Sequence, residues 1–218
     1  MVRARNRKNN ELSELGATKT SKWPRTSRRQ DRIESILQKR QPTLTVVLED
    51  VHDPHNASAV LRSCDAVGVL DVHLVYVHEE PPRKSFGLST SASAAKWIRL
   101  HWHDSIEDCY AVLRGQGFRI AATALEPDST DFYSLDLTRP TALVFGNEMR
   151  GVTREAIDGA DCTVYIPMQG MVESLNISVS CAVTLYEAMR QRHAAGMYDT
   201  PQLGESELAA VREEWLRK

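Results

Sequence analysis

Apolar residues along positions 44–195 follow two alternating patterns. Short aliphatic and β-branched runs alternate with segments whose apolar residues recur every three or four positions. The runs LTVVLE (44–49), VHLVY (72–76), WIRLHW (97–102), FRIAATA (118–124), TALVF (141–145) and TVYIP (163–167) read as strands. Between the first two, Ala57, Val60, Leu61, Cys64 and Val67 form a helical stripe, with Asn56 as candidate cap and Gly68 as stop. Further helices are predicted over 104–115, near 153–158, and from about Ser174 to Ala195. Strands alternating with helices predict an α/β fold, a parallel sheet with flanking helices.

Both ends add to this body. Ser27, Ile33, Ile36 and Leu37 predict a packed helix over 27–40, stopped by Pro42. ESELAAVREEWLRK predicts a further amphipathic helix beyond Pro201 and Gly204. The chain thus divides into an N-terminal arm (1–26), a body (27–198) opening on a helix over 27–41, and a helical extension (199–218). In open parallel sheets, ligands bind beyond the carboxyl ends of the strands. The loops EDVHDPHN, ATALEPD, FGNEMRG and IPMQGMVESLN occupy those places and are rich in polar, Gly and Met residues.

Composition narrows the class. At 218 residues with 42% hydrophobic content, the chain can bury a sizeable core without staples. Cys64, Cys109, Cys162 and Cys181 form no CxxC pair, which excludes a disulfide framework or zinc ribbon and predicts reduced thiols. No apolar run approaches the ~18 residues of a membrane helix, so a soluble cytoplasmic protein is expected, with no membrane partner. The net charge of −2 conceals an asymmetry: residues 1–40 carry 12 Lys+Arg against 4 Asp+Glu, and the remainder 15 against 25. A basic arm on an acidic body favours a polyanionic partner.

Common signatures are missing. No GxxxxGK[ST] occurs, which excludes an ordinary P-loop NTPase. Gly115-Gln116-Gly117 follows a helix and precedes a strand, the reverse of a dinucleotide fingerprint, and reads as a helix C-cap. His52 and His55, with Asp50 and Asp53, lie in a Pro-containing loop and read as loop or RNA contacts rather than metal ligands. His101 and His103 read as half-exposed strand residues. No metal site is expected.

Three segments together carry a specific resemblance. HNASAVLRSCDAVGV, LVFGNEMRGV and IPMQGMVESLNISVSCAVTLYEAMRQR resemble, in order and spacing, the three motifs of the SPOUT-class RNA methyltransferases, more narrowly the TrmH (SpoU) family. The similarity runs from about Arg28 to Tyr198. QPTLTVVLEDVHDPHN, DAVGV and RQRHAAGMYD look closest to the branch that methylates tRNA at guanosine 18 of the D-loop. The family implies a deep trefoil knot in the C-terminal part, a homodimer, tRNA as partner, and S-adenosylmethionine as donor to a ribose 2′-hydroxyl. Neither periodicity nor spacing predicts a knot, since connections are ordinarily unknotted.

By resemblance, Thr123, Ala124, Leu125, Gly146, Glu148, Ile166, Met168 and Leu175 line the cofactor. Arg62 matches the catalytic arginine and Asn56 the motif-1 asparagine, while Glu148, Ser174 and Asn176 match motif-2 and motif-3 positions. Arg29, Arg32, Arg40, His55, Arg190 and Arg192 match RNA-contacting positions. A guanidinium stays protonated at neutral pH, so Arg62 is expected to orient the hydroxyl and stabilise the developing alkoxide. Apolar residues around much of the long helix (Val179, Ala182, Val183, Leu185, Tyr186 and Ala188) fit burial on more than one side, as in a dimer. The competing readings are a ribosomal RNA methyltransferase and a non-catalytic RNA-binding factor. The 40 residues before the sheet are too few for the extra domain typical of the former. The intact Asn56, Arg62, Glu148 and Asn176 set argues against the latter.

Overall fold

The structure, a computed structural model, describes residues 27–81 and 94–218; the basic arm, 1–26, lies outside the described residues. In chain order the elements are α1 (Ser27–Leu37), β1 (Leu44–Glu49), α2 (Pro54–Val67), β2 (Asp71–Val75), β3 (Arg99–His103), α3 (Ile106–Gly115) and β4 (Arg119–Thr123). Then come β5 (Thr130–Asp131) with a 3-10 turn (Phe132–Ser134), β6 (Thr141–Phe145), α4 (Arg154–Gly159), β7 (Cys162–Tyr165), α5 (Ile177–Ala194) and α6 (Glu205–Arg217). The seven strands form one sheet in the order β3-β2-β1-β6-β4-β7-β5, every pairing parallel.

Side-chain alternation assigns the faces. Val46 and Leu48 join a core with α2 and α5, whereas Val47 and Val144 join one with α3 and α4. Central strands β1 and β6 are therefore buried throughout, which is why they read as predominantly apolar runs. A third cluster ties α1 to α6 through Ile33, Leu37, Leu70, Leu203, Val211 and Trp215.

The boundaries depart from expectation where local hydrogen bonds compete with periodicity. Helix α1 ends at Leu37, because the chain turns at 38–43 and Gln41 N–H donates to Gly68 O at 2.8 Å. Helix α5 begins at Ile177 rather than Ser174, with Asn176 capping Ser178 N–H at 2.8 Å. Asn56 is not the cap of α2. Asp53 accepts from His55 N–H, Pro54 takes the first helical position, and Asn56 falls inside the first turn. Gly68 and the 115–117 segment close their helices as expected, with positive φ at Gly68 and Gly117.

Two expected RNA contacts, Arg40 and Arg192, are fully buried and serve the fold instead. Arg40 pairs with Asp65 at 2.5 Å, donates to Val69 O at 2.9 Å, and lies over the Trp215 ring. Arg192 has no carboxylate partner among the described residues, yet all five of its N–H groups are used. They donate to Leu137 O, Gln41 Oε1, Thr43 Oγ1, Thr43 O and Arg139 O. Burial pushes its pKa down to about 10. The cation thus fastens the end of α5 to the chain entering β1 and β6. Arg192→Met would strand those oxygens, and an urea midpoint corresponding to a loss of about 3 kcal/mol is expected. An unchanged midpoint would show that these bonds are not made in solution.

Candidate active site

Neighbouring strands β6, β4 and β7 deliver their carboxyl-end loops to one place. Residues 123–125, 145–152, 164–166, 168, 173–177 and 180 there line a cavity of about 540 Å³. This lies within the ~300–1,000 Å³ typical of small-molecule sites. All eight residues expected at the cofactor line it: Thr123, Ala124, Leu125, Gly146, Glu148, Ile166, Met168 and Leu175. Ser174 and Asn176 line it too.

The wall after β6 is built from backbone at unusually close range. Asn147 and Gly151 exchange N–H···O bonds of 2.9 and 2.8 Å, turning residues 147–151 back on themselves. A Cβ at Gly146 would lie 2.1 Å from the Gly151 carbonyl carbon, so only glycine fits. Asn147, buried, donates from Nδ2 to Asp50 O at 2.7 Å, and its Oδ1 accepts from the N–H groups of Met149 and Arg150.

Glu148 joins the three motif segments. Its carboxylate accepts from Asn56 Nδ2 at 2.9 Å, His52 N–H at 3.0 Å and Asp53 N–H at 3.2 Å. Asn56 Oδ1 in turn accepts from Asn176 Nδ2 at 3.2 Å. Because Asp53 takes over the capping, the Asn56 amide is free for this bridge. Partial burial works to raise the Glu148 carboxyl, but the hydrogen bonds from Asn56, its own backbone, His52 and Asp53 outweigh it, and its pKa falls below the usual range. Glu148 is held ionised as an acceptor.

The expected RNA residues that remain are distributed over the surface. Arg32, His55 and Arg190 are exposed and Arg29 is half-buried on α1. Arg190 is paired with Glu187 at 2.8 and 2.7 Å, an i,i+3 ion pair. Arg62 is exposed on α2, outside the cavity lining, and its side chain makes no hydrogen bond or ion pair among the described residues.

Two residues support the site: Asp50, anticipated only as a loop contact, and Glu49, which sequence reasoning missed. Asp50 is buried at φ 50°, and its carboxylate accepts from the N–H groups of Val77, His78 and Glu79. It therefore anchors both the loop after β2 and, through its carbonyl, Asn147. Glu49 accepts from Thr153 N–H and Oγ1 at 2.9 and 2.5 Å, and its pKa is raised chiefly by burial. Adjacent acidic residues closing a buried strand were the available signal. In the loop after β1, Asp50 and Asp53 accept from backbone N–H groups, and His52 Nδ1 meets Glu79 at 3.1 Å.

A parallel α/β sheet carrying a small-molecule cavity over β6, β4 and β7 defines the class, and comparison with known proteins places it. Residues 43–186 match the SpoU rRNA Methylase family, and the chain belongs to that family. It is 48% identical over 194 residues to a Thermus thermophilus protein named tRNA (guanosine(18)-2′-O)-methyltransferase, covering 89% of this chain and 98% of that one. Among solved structures it is similar to the Aquifex aeolicus TrmH/SpoU tRNA modifying enzyme, with TM-score 0.77, 37% identity, and 86% and 94% of the two chains covered. The Streptomyces viridochromogenes SpoU methyltransferase AviRb, solved in complex with AdoMet, matches at TM-score 0.60 and 27% identity over 72% of this chain and 59% of that one.

Proposed function

We propose that this protein methylates the 2′-hydroxyl of guanosine 18 in the D-loop of tRNA, with S-adenosylmethionine as donor. The observation that carries the reading is the convergence of all eight expected cofactor residues on one cavity, tied by Glu148 to Asn56 and Asn176. Identity of 48% to the Thermus tRNA methyltransferase over nearly its whole length selects the substrate.

The residues present suit the cofactor. Glycine at 146 lets the wall fold tightly against residues 151–152, Ile166, Met168 and Leu175 offer apolar surface, and Thr123 to Leu125 complete the lining. When bound, S-adenosylmethionine supplies an electrophilic methyl group on a sulfonium. The Glu148–Asn56–Asn176 bridge holds the loops in register, so the reacting oxygen meets a fixed geometry. Arg62, a cation without a carboxylate partner among the described residues, binds the RNA phosphate, orients the hydroxyl and stabilises the alkoxide. Arg29, Arg32, His55 and Arg190, with the basic arm of residues 1–26, contact the RNA backbone.

The same reading extends to architecture. The C-terminal part is knotted, which the out-of-sequence strand order β1-β6-β4-β7 supports. The enzyme is a homodimer paired through α5, where Val179 and Tyr186 are apolar and about half exposed. No helix among the described residues is long and apolar enough to cross a membrane, in keeping with a cytoplasmic enzyme.

Incubating the protein with labelled S-adenosylmethionine and unmodified tRNA, or with ribosomal RNA, tests this. Label in 2′-O-methylguanosine of tRNA, lost when guanosine 18 is replaced, is expected. Label confined to ribosomal RNA, or to a base, would overturn the assignment.

A further inference from the structure

The far edge of the sheet collects donor atoms that take no part in the pocket. Asp71 and His73 alternate along β2, His101 and His103 along β3, and the register sets His73 beside His101. Alternation points all four to one side of the sheet, where Cys109 of α3 also lies. His73 stacks on both neighbours, with ring centroids 4.8 and 5.1 Å apart. His73 Nδ1 stands 2.9 Å from His103 Nε2, and with Cys109 Sγ these donors all lie within 4.8 Å of one another. His101 Nε2 meets Asp71 at 2.7 Å, flanking the cluster with a carboxylate.

His73 is 3% exposed and Cys109 0%, and the Cys109 thiol makes no hydrogen bond among the described residues. Two imidazoles and a sulfur, drawn from β2, β3 and α3, match the ligand chemistry of a borderline-soft divalent ion. Zinc takes nitrogen at ~2.0–2.1 Å and sulfur at ~2.3 Å in a tetrahedron, which small side-chain rotations from the present spacing would reach. We propose that His73, His103 and Cys109 bind one zinc-class ion, with water on the half-exposed His103 side as fourth ligand. The ion would fasten α3 to the sheet edge, and Asp71 through His101 would hold the imidazole array. Burial holds the Cys109 thiol protonated, so binding releases a proton to solvent. The site draws on β2, β3 and α3, whereas the cavity draws on the loops after β4, β6 and β7, and the two share no residue.

Titration of the tag-free, reduced full chain with Co²⁺, followed by displacement with Zn²⁺, tests the proposal. One ion per chain with a thiolate-to-cobalt absorption band is expected, retained in Cys162→Ser and lost in Cys109→Ser. His103→Gln, at a half-exposed edge position, should weaken Zn²⁺ binding at least tenfold and abolish the rise in Tm that Zn²⁺ gives the parent. Absence of binding at micromolar metal, survival of the band in Cys109→Ser, or unchanged affinity in His103→Gln would each overturn it. Because the readouts are metal binding and Tm, they decide this site whatever the outcome of the tRNA assay.

Discussion

Replacing Arg62 with alanine is expected to slow methyl transfer to tRNA by about 100-fold or more, the loss of ~3 kcal/mol typical of one oriented donor at a developing oxyanion. Cofactor affinity should not change, because Arg62 lies on α2 outside the cavity lining. Stability should not fall either, since the side chain is exposed and bonded to nothing among the described residues. That combination separates Arg62 from the structural arginines. Arg192 spends five donors on the fold, and Arg40 is buried beside Asp65. Arg62→Lys should recover part of the loss by restoring charge but not the planar fork. Single-turnover rates with tRNA, beside calorimetric cofactor affinity and a urea midpoint, test all three statements. A mutant turning over near the parental rate would remove Arg62 from the mechanism.

The contrast among the arginines shows what the sequence could and could not display. Strand positions were legible because β1 and β6 are buried on both faces, and such burial favours nearly continuous apolar runs. The cavity wall was legible in outline because it is made of loops at strand ends, while its individual residues came from the family resemblance. Arg40 and Arg192 look like surface cations, since a buried guanidinium satisfied by carbonyl oxygens leaves no mark in local patterning. Its partners lie up to about 150 positions away, as Gln41 and Thr43 do from Arg192. Asn56 as helix cap failed for a related reason. Asp53 and Pro54 compete for the same helix start, and the long-range bond to Glu148, 92 positions on, decides which asparagine role is realised. β5, two residues long, carries no periodicity at all. The cluster of His73, His103 and Cys109 was hidden likewise, because strand register, not spacing, assembles it.

Gly146→Ala is expected to weaken cofactor binding strongly. The added Cβ would stand 2.1 Å from both the carbonyl carbon and oxygen of Gly151, and 2.2 Å from the Val152 nitrogen. These are backbone atoms, so no rotamer change relieves the contact. Nor can the loop swing away cheaply. Residues 147 and 151 are bonded to each other in both directions, and Asn147 is tied to Asp50 O at 2.7 Å. Opening that turn would also carry Glu148 away from Asn56, His52 and Asp53, uncoupling the motif segments. Overpacking of this kind typically costs ~1–3 kcal/mol, and backbone on every side sets this case at the upper end. Cofactor affinity measured by calorimetry is expected to fall by at least tenfold, ~1.4 kcal/mol, with a lowered Tm. Gly170→Ala provides the internal control. It lies in the neighbouring loop after β7, and a Cβ there meets nothing within 4 Å, so affinity should stay near the parental value. Equal effects from the two substitutions would mean that the close approach of residues 146 and 151 does not shape the cofactor site.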